Sequence, residues 1–186
     1  YYSKDAFSIS SDSLYKYSNR LVSLKYDHTF NDKNKGALIL TNSEYKFNID
    51  YSSENLNAFD FGYKINETQL QLKFLYQFNK KHTFSYGISS KLYGIDPGYL
   101  NPLNPQTLLV PIRIDKEKGL ESAIYIADSF KVNEKLLIDV GLRYSWFAAL
   151  GESTQRIYQQ GVPINDATVI EEKQFENNKV IKSYGG

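Results

Sequence analysis

The chain has 186 residues, with 22 basic and 21 acidic side chains and a net charge of +1, a balance that leaves no basic patch of the kind nucleic acid requires. Cysteine is absent, which excludes disulfides, thiolate metal sites and cysteine nucleophiles. Hydrophobic residues make up 41%, mean hydropathy is −0.47, and no run approaches the roughly 18 apolar residues of a membrane-spanning helix.

Residues 1–17 are rich in Ser and Tyr and read as the end of a preceding loop. Six strands follow by period-2 alternation. The first, roughly 18–30, sets Val22, Leu24, Tyr26, His28 and Phe30 against Ser23, Lys25, Asp27 and Thr29. The second, roughly 36–51, sets Ile39, Tyr45, Phe47, Ile49 and Tyr51 against Asn42, Glu44, Lys46, Asn48 and Asp50. A long connection is expected over 52–66, with Ala58 to Tyr63 extending the next strand outward. The third strand, 67–78, alternates Leu70, Leu72, Phe74, Tyr76 and Phe78 with Gln69, Gln71, Lys73 and Gln77. The fourth, 82–93, sets Phe84, Tyr86, Ile88 and Leu92 against Ser85, Gly87, Ser89 and Lys91. A loop over 94–118 holds four of the five prolines. The fifth strand, 119–130, opposes Ile124, Ile126 and Phe130 to Glu121 and Ser129. The sixth, 135–148, opposes Leu136, Ile138, Val140, Leu142, Tyr144 and Trp146 to Asp139, Gly141, Arg143 and Ser145. The tail 149–186 is expected to be another long outer loop. The chain ends at Tyr184-Gly185-Gly186 without a closing aromatic strand and reads as a piece of a longer polypeptide.

The connections alternate in length. Three short polar turns, near 31–35, 79–81 and 131–135, each have a Phe at the strand foot: Phe30, Phe78 and Phe130. Strands of about 12–16 residues exceed both the soluble average of about 5–6 and the roughly 9–11 needed to cross a bilayer. In hydrocarbon every backbone N–H and C=O must be paired, which leaves helices or closed sheets. A closed sheet between lipid and water needs apolar-out, polar-in alternation. The expected fold is therefore all-β, an antiparallel transmembrane β-barrel segment, with the short turns in the periplasm and the long loops outside. Six strands cannot close such a barrel, since the smallest have about 8. The competing reading, a soluble sheet with one face on a core, predicts shorter strands and fewer aromatics than the 15% present.

No catalytic arrangement is readable, and no enzyme activity is expected. The two histidines, His28 and His82, both lie beside short turns, away from the outer rim, and suit interfacial positions better than general bases. Two distant histidines give no metal-ligand spacing, and Asp115, Glu117 and Glu121 are interleaved with Lys116 and Lys118 as in a solvated loop. No metal and no cofactor is expected. Asp139 and Arg143 share the polar face of the sixth strand and are candidates for lumen contacts, to a substrate, a plug or neighbouring strands. Tyr99, in the Pro-rich loop, is the candidate for a ligand contact, whereas Trp146 and Phe147 suit an outer aromatic girdle.

Residues 119–151, and within them Tyr125, Asp128, Phe130, Lys135, Leu136, Gly141, Leu142, Arg143 and Tyr144, resemble a barrel hairpin of TonB-dependent outer-membrane receptors. Gly161-Val162-Pro163 and the run Val180 to Gly186 resemble the loop that follows in receptors of the Bacteroidetes type. The resemblance implies residence in the outer membrane of a Gram-negative cell and a barrel of about 22 strands. It implies active import of a nutrient such as chelated metal, cobalamin, a glycan or a peptide. Its implied partners are outer-membrane lipid and lipopolysaccharide, periplasmic TonB acting through a plug domain, and a surface lipoprotein lid. The whole of 1–186 would then belong to one β-barrel domain, with no plug in this chain. A passive or structural outer-membrane barrel, or a subunit of a larger assembly, is the alternative.

Overall fold

A computed structural model describes residues 1–10, 12–52 and 57–186. Nine strands form one antiparallel sheet: β1 (Tyr2–Ser10), β2 (Ser13–Asn31), β3 (Asn34–Tyr51), β4 (Phe59–Gln77), β5 (His82–Pro102), the two-residue β6 (Ile112–Arg113), β7 (Glu117–Lys131), β8 (Leu137–Leu150) and, after an excursion, β11 (Val180–Gly185). The order is β1-β2-β3-β4-β5-β7-β8-β11, with β6 at the end of β5 far from the short turns. The excursion is a separate hairpin of β9 (Ser153–Tyr158) and β10 (Val169–Phe175), and Asp166–Thr168 make a single 3-10 turn capped by the Asn165 side chain. The sheet is open: β1 and β11 each have one neighbour.

The short turns share one chemical device. Asn31 Oδ1 accepts the backbone N–H groups of Lys33 and Asn34 at 3.0 Å, Asn79 Oδ1 those of Lys81 and His82 at 2.7 and 2.9 Å, and Asn133 Oδ1 that of Lys135 at 2.8 Å. An Asn side chain imitates a backbone carbonyl here, so the chain reverses without leaving turn donors unpaired.

The strands run well past the spans read from alternation. Residues 2–10 form β1 and 13–17 the start of β2, where a loop end was expected. In the expected loop 52–66, Phe59 to Asn66 continue β4, pairing without a break with Glu44 to Tyr51; residues 53–56 of that loop lie outside the described residues. In the expected loop 94–118, β5 continues to Pro102 and β6 pairs with it through Tyr99–Arg113 and Leu100–Ile112. In the expected outer loop 149–186 stand β9, β10 and β11, with Tyr184 opposite Phe147 and Gly185 opposite Trp146. The physical reason is common to all four. A long strand exposes a row of N–H and C=O groups, and the neighbouring segment satisfies them even where the alternation reverses phase, as from Phe59–Ile65 to Leu70–Phe74, or is not clean.

A hydrophobic core is nearly absent. Among the described residues the buried hydrophobics are Ala58, Ala123, Ala148 and Leu150. Large apolar side chains instead stand open: Leu142 is 78% exposed, Val140 65% and Leu24 64%. Neighbouring strands close up where an aromatic ring lies over a glycine. The Tyr125 ring covers Gly87, and a methyl group at that glycine would meet the Leu72 carbonyl oxygen at 2.3 Å.

Candidate functional site

Residues directly opposite in an antiparallel ladder point to the same face, so the register sorts every strand position onto one of two faces. Near the short turns the first face is apolar. Val22, Leu24 and Tyr26 of β2 stand beside Leu40 and Leu38 of β3, and Leu70, Leu72 and Phe74 of β4 beside Ile88 and Tyr86 of β5. The face continues through Ile124 and Ile126 of β7 to Leu142, Tyr144 and Trp146 of β8. The second face at the same height is polar: Ser23, Lys25, Asp27, Thr41, Gln69, Gln71, Lys73, Ser85, Ser89, Asp139 and Arg143. A sheet with exposed leucines on one side and hydrated charges on the other is a wall between hydrocarbon and water.

Farther from the short turns the two faces exchange character. On the first face, Arg20 stands opposite Glu44, Ser18 opposite Lys46, Lys16 opposite Asn48 and Lys64 opposite Asp96. Lys16 donates to Asp50, and Glu44 lies 3.7 Å from Arg20 and 3.8 Å from Lys64. On the second face, Tyr15 and Tyr17 of β2 stand beside Ile49 and Phe47 of β3, and Tyr45, Phe47, Ile49 and Tyr51 beside Ile65, Tyr63, Phe61 and Phe59 of β4. Ring centroids are 5.2 Å apart for Phe47–Tyr63, 5.4 Å for Tyr51–Phe59 and 5.9 Å for Tyr45–Tyr63; Phe7 of β1 stacks on Tyr15 at 5.1 Å. This corrects the one-sided reading of β3. Its apolar face toward hydrocarbon is Leu38 and Leu40, while Tyr45 to Tyr51 lie on the opposite side, above the polar stretch of the second face.

The three residues singled out from the sequence are not gathered in one place. Asp139 and Arg143 share the second face near the short turns. Asp139 accepts a hydrogen bond from Ser129 Oγ. Arg143 donates through Nε to Ser145 Oγ at 3.1 Å and borders a groove of about 410 Å³ with Gln71, Lys73, Ser89 and Tyr125. Tyr99 lies at the end of β5 far from the short turns, on the first face, its ring over Gly62 and its hydroxyl among Asn48 and Asp60. A bulge puts it there. Lys64 pairs with Asp96 and Gly62 with Tyr99, so β5 carries an extra residue at Pro97-Gly98, where Gly98 adopts φ +149°. Beyond the bulge odd-numbered residues of β5 change face. Burial raises the Tyr99 hydroxyl pKa above the usual tyrosine value. The Asn48 hydrogen bond lowers it, and the Asp60 and Asp50 carboxylates raise it.

Other candidates resolve into structural contacts. His82 Nδ1 lies 2.6 Å from Asp128 Oδ2 and its ring stacks on Phe130 at 4.5 Å, at the foot of β5 and β7. His28 packs edge-on against Phe30 at 4.5 Å. Glu121 accepts from the Tyr93 hydroxyl at 2.9 Å, and among the described residues no group of three or more His, Cys, Asp or Glu side chains is placed to hold a metal ion. Trp146 lies on the apolar face, but Phe147 lies on the other, over Gly119. Tyr45, Phe47, Ile49 and Tyr51 share one face, as read from the sequence; that this face lies opposite the hydrocarbon side was not read there. The signal was present as Tyr45-x-Phe47-x-Ile49-x-Tyr51, out of phase with Leu38-x-Leu40.

The family model described as TonB dependent receptor-like, beta-barrel matches residues 1–163. No curated protein and no solved structure matches the chain. Proteins of that family are outer-membrane transport receptors of Gram-negative bacteria that work with periplasmic TonB. The match covers most of the 186 residues and agrees with an all-β sheet built as a wall between two solvents: the chain belongs to the TonB-dependent receptor-like β-barrel family.

Proposed function

We propose that the chain forms part of the barrel of an active importer, about 22 strands in all, which takes up a nutrient such as chelated metal, cobalamin, a glycan or a peptide. One observation carries the reading: at the same height of the sheet one face bears open Leu24, Val140 and Leu142 while the other bears Lys25, Lys73, Asp139 and Arg143. Hydrocarbon against the first face and a hydrated lumen against the second satisfy both. Asp139 and Arg143 then contact a plug domain or a passing substrate. Tyr99, on the outward-looking first face of the outer rim, serves a lid lipoprotein approaching from outside rather than cargo in the lumen. Lipopolysaccharide meets the wall on its first face. The Gly161-Val162-Pro163 and Val180 to Gly186 segments support the Bacteroidetes type. The chain has no catalytic role in this reading.

The orientation is tested by protease treatment of intact cells. Cleavage is expected in 103–111, between β5 and β6, and cleavage at 79–81 instead reverses the orientation. The energy source is tested by deleting TonB. Loss of uptake is expected, and retained uptake makes the barrel a passive one.

A further inference from the structure

The exchange of character between the two faces separates the side chains of the outer half by chemistry. Above the membrane band the cations of β2, β3 and β4, namely Lys16, Arg20, Lys46 and Lys64, all lie on the first face, which looks outward from the barrel. The second face, which looks into the vestibule, carries no charge from Ser13 to Asn19, from Ser43 to Tyr51 or from Phe59 to Ile65. The charges at its borders are Asp5, opposite Tyr17, and Glu67, opposite Ser43; the Glu67 carboxylate lies 3.8 Å from Lys91 of β5 on the same face. An anionic ligand such as a phosphate ester or an iron–catecholate chelate needs Arg or Lys donors. On the outer parts of β2 to β4 those donors stand on the wrong side of the wall, and Lys91, at the border of the face, is paired with Glu67.

What the vestibule face does offer is ring area edged with hydroxyls. Phe47 and Tyr63 pack against each other, as do Tyr51 and Phe59, and all four stay half-buried rather than covered by other parts of the chain. From Tyr45 to Tyr51 the face runs about 20 Å along the strand, at roughly 3.4 Å per residue, and from β1 to β4 it spans about 14 Å. A ring face carries negative charge at its centre and attracts polarised C–H groups. Tyrosine adds a hydroxyl at the rim that can donate and accept. A pyranose ring is the complement, with C–H groups on its flat sides and hydroxyls around its edge. A face of this length takes several such rings in succession.

We infer that the aromatic face of β1 to β4 is a docking platform for a neutral oligosaccharide chain, which narrows the cargo of the proposed importer to uncharged glycans. The inference rests on the import reading, through the assignment of the second face to the lumen.

The test uses the intact receptor in nanodiscs and isothermal titration with neutral hexasaccharides of glucose, mannose, galactose and xylose, alongside an iron–catecholate chelate and a basic peptide. Binding of at least one hexasaccharide is expected, weakened tenfold or more by Phe47→Ala or Tyr63→Ala. Tyr63→Phe should keep most of the affinity, because the ring remains, and Lys64→Ala on the opposite face should leave it unchanged. Each variant is first checked for a folded, heat-modifiable barrel on gels. Binding of the chelate or the peptide in place of every hexasaccharide overturns the inference, as does binding of nothing in the panel or glycan affinity indifferent to both alanine variants. Glycan binding that follows these variants without TonB-dependent uptake keeps the platform and sinks the import reading instead.

Discussion

An arginine at Leu142 tests the hydrocarbon face most directly. Leu142 is on β8, five residues above Leu137 at the strand foot, and its side chain is 78% exposed on the apolar face. At about 3.4 Å per residue that is roughly 17 Å along the strand, and a tilt of about 45° brings the height to about 12 Å. The apolar band of such barrels is about 25 Å tall, so Leu142 lies near its middle, where a lipid-facing arginine costs about 2–4 kcal/mol. Ile138 shares the face one residue above the foot, 42% exposed, where the same change costs about 0–1 kcal/mol. Leu142→Arg should therefore shift the folding equilibrium by about 30- to 1,000-fold, and Ile138→Arg by less than about tenfold, at about 1.4 kcal/mol per decade. The assay is reversible guanidinium unfolding of the intact receptor in lipid vesicles. Equal costs at the two positions, or a smaller cost at Leu142, would refute the placement of this face in hydrocarbon.

Two further outcomes follow from local geometry. Gly87→Ala should cost about 1–3 kcal/mol, because its new Cβ would lie 2.3 Å from the Leu72 carbonyl oxygen and 2.9 Å from the Tyr125 hydroxyl; Gly94→Ala, with no atom within 4 Å, should be near neutral, and matching thermal midpoints for the two would contradict the close ring-over-glycine packing. The raised Tyr99 pKa, caused first by burial, favours the neutral hydroxyl in the folded state. Its contribution to stability is fully present below the unfolded value of about 10 and is lost as pH rises through the folded pKa. An ultraviolet titration of the wild type against Tyr99→Phe should resolve one tyrosine ionising above pH 10; ionisation at or below 10 would place Tyr99 in open solvent.

Much of the wall was legible one strand at a time. Leu136-x-Ile138-x-Val140-x-Leu142 against Asp139, Gly141 and Arg143 states a two-solvent strand without help from any neighbour, because period-2 alternation is a property of a single strand. The short turns were legible for the same local reason: Asn31, Asn79 and Asn133 cap the backbone within two or three residues of themselves. The strand ends were not. Phe59 to Ile65 alternate cleanly, but in the phase opposite to Leu70, Leu72 and Phe74, and Gly94 to Pro102 are interrupted at Pro97-Gly98, so where each strand ends is settled by the partners across the ladder that complete its hydrogen bonds.

The candidate site divides along the same line. The sequence by itself determined that Asp139 and Arg143 share a face, because they lie four residues apart on a strand without a break. Only the tertiary structure decided that Tyr99 is turned away from the side of Tyr93, because one extra residue at Pro97-Gly98 shifts the register and reverses every side chain beyond it. Only the register of β2, β3 and β4 likewise decided that Tyr45, Phe47 and Tyr51 join Tyr63 and Phe59 on the polar side of the wall. Alternation gives each strand two faces, but which face meets lipid is a relation between strands, and a single strand does not carry it.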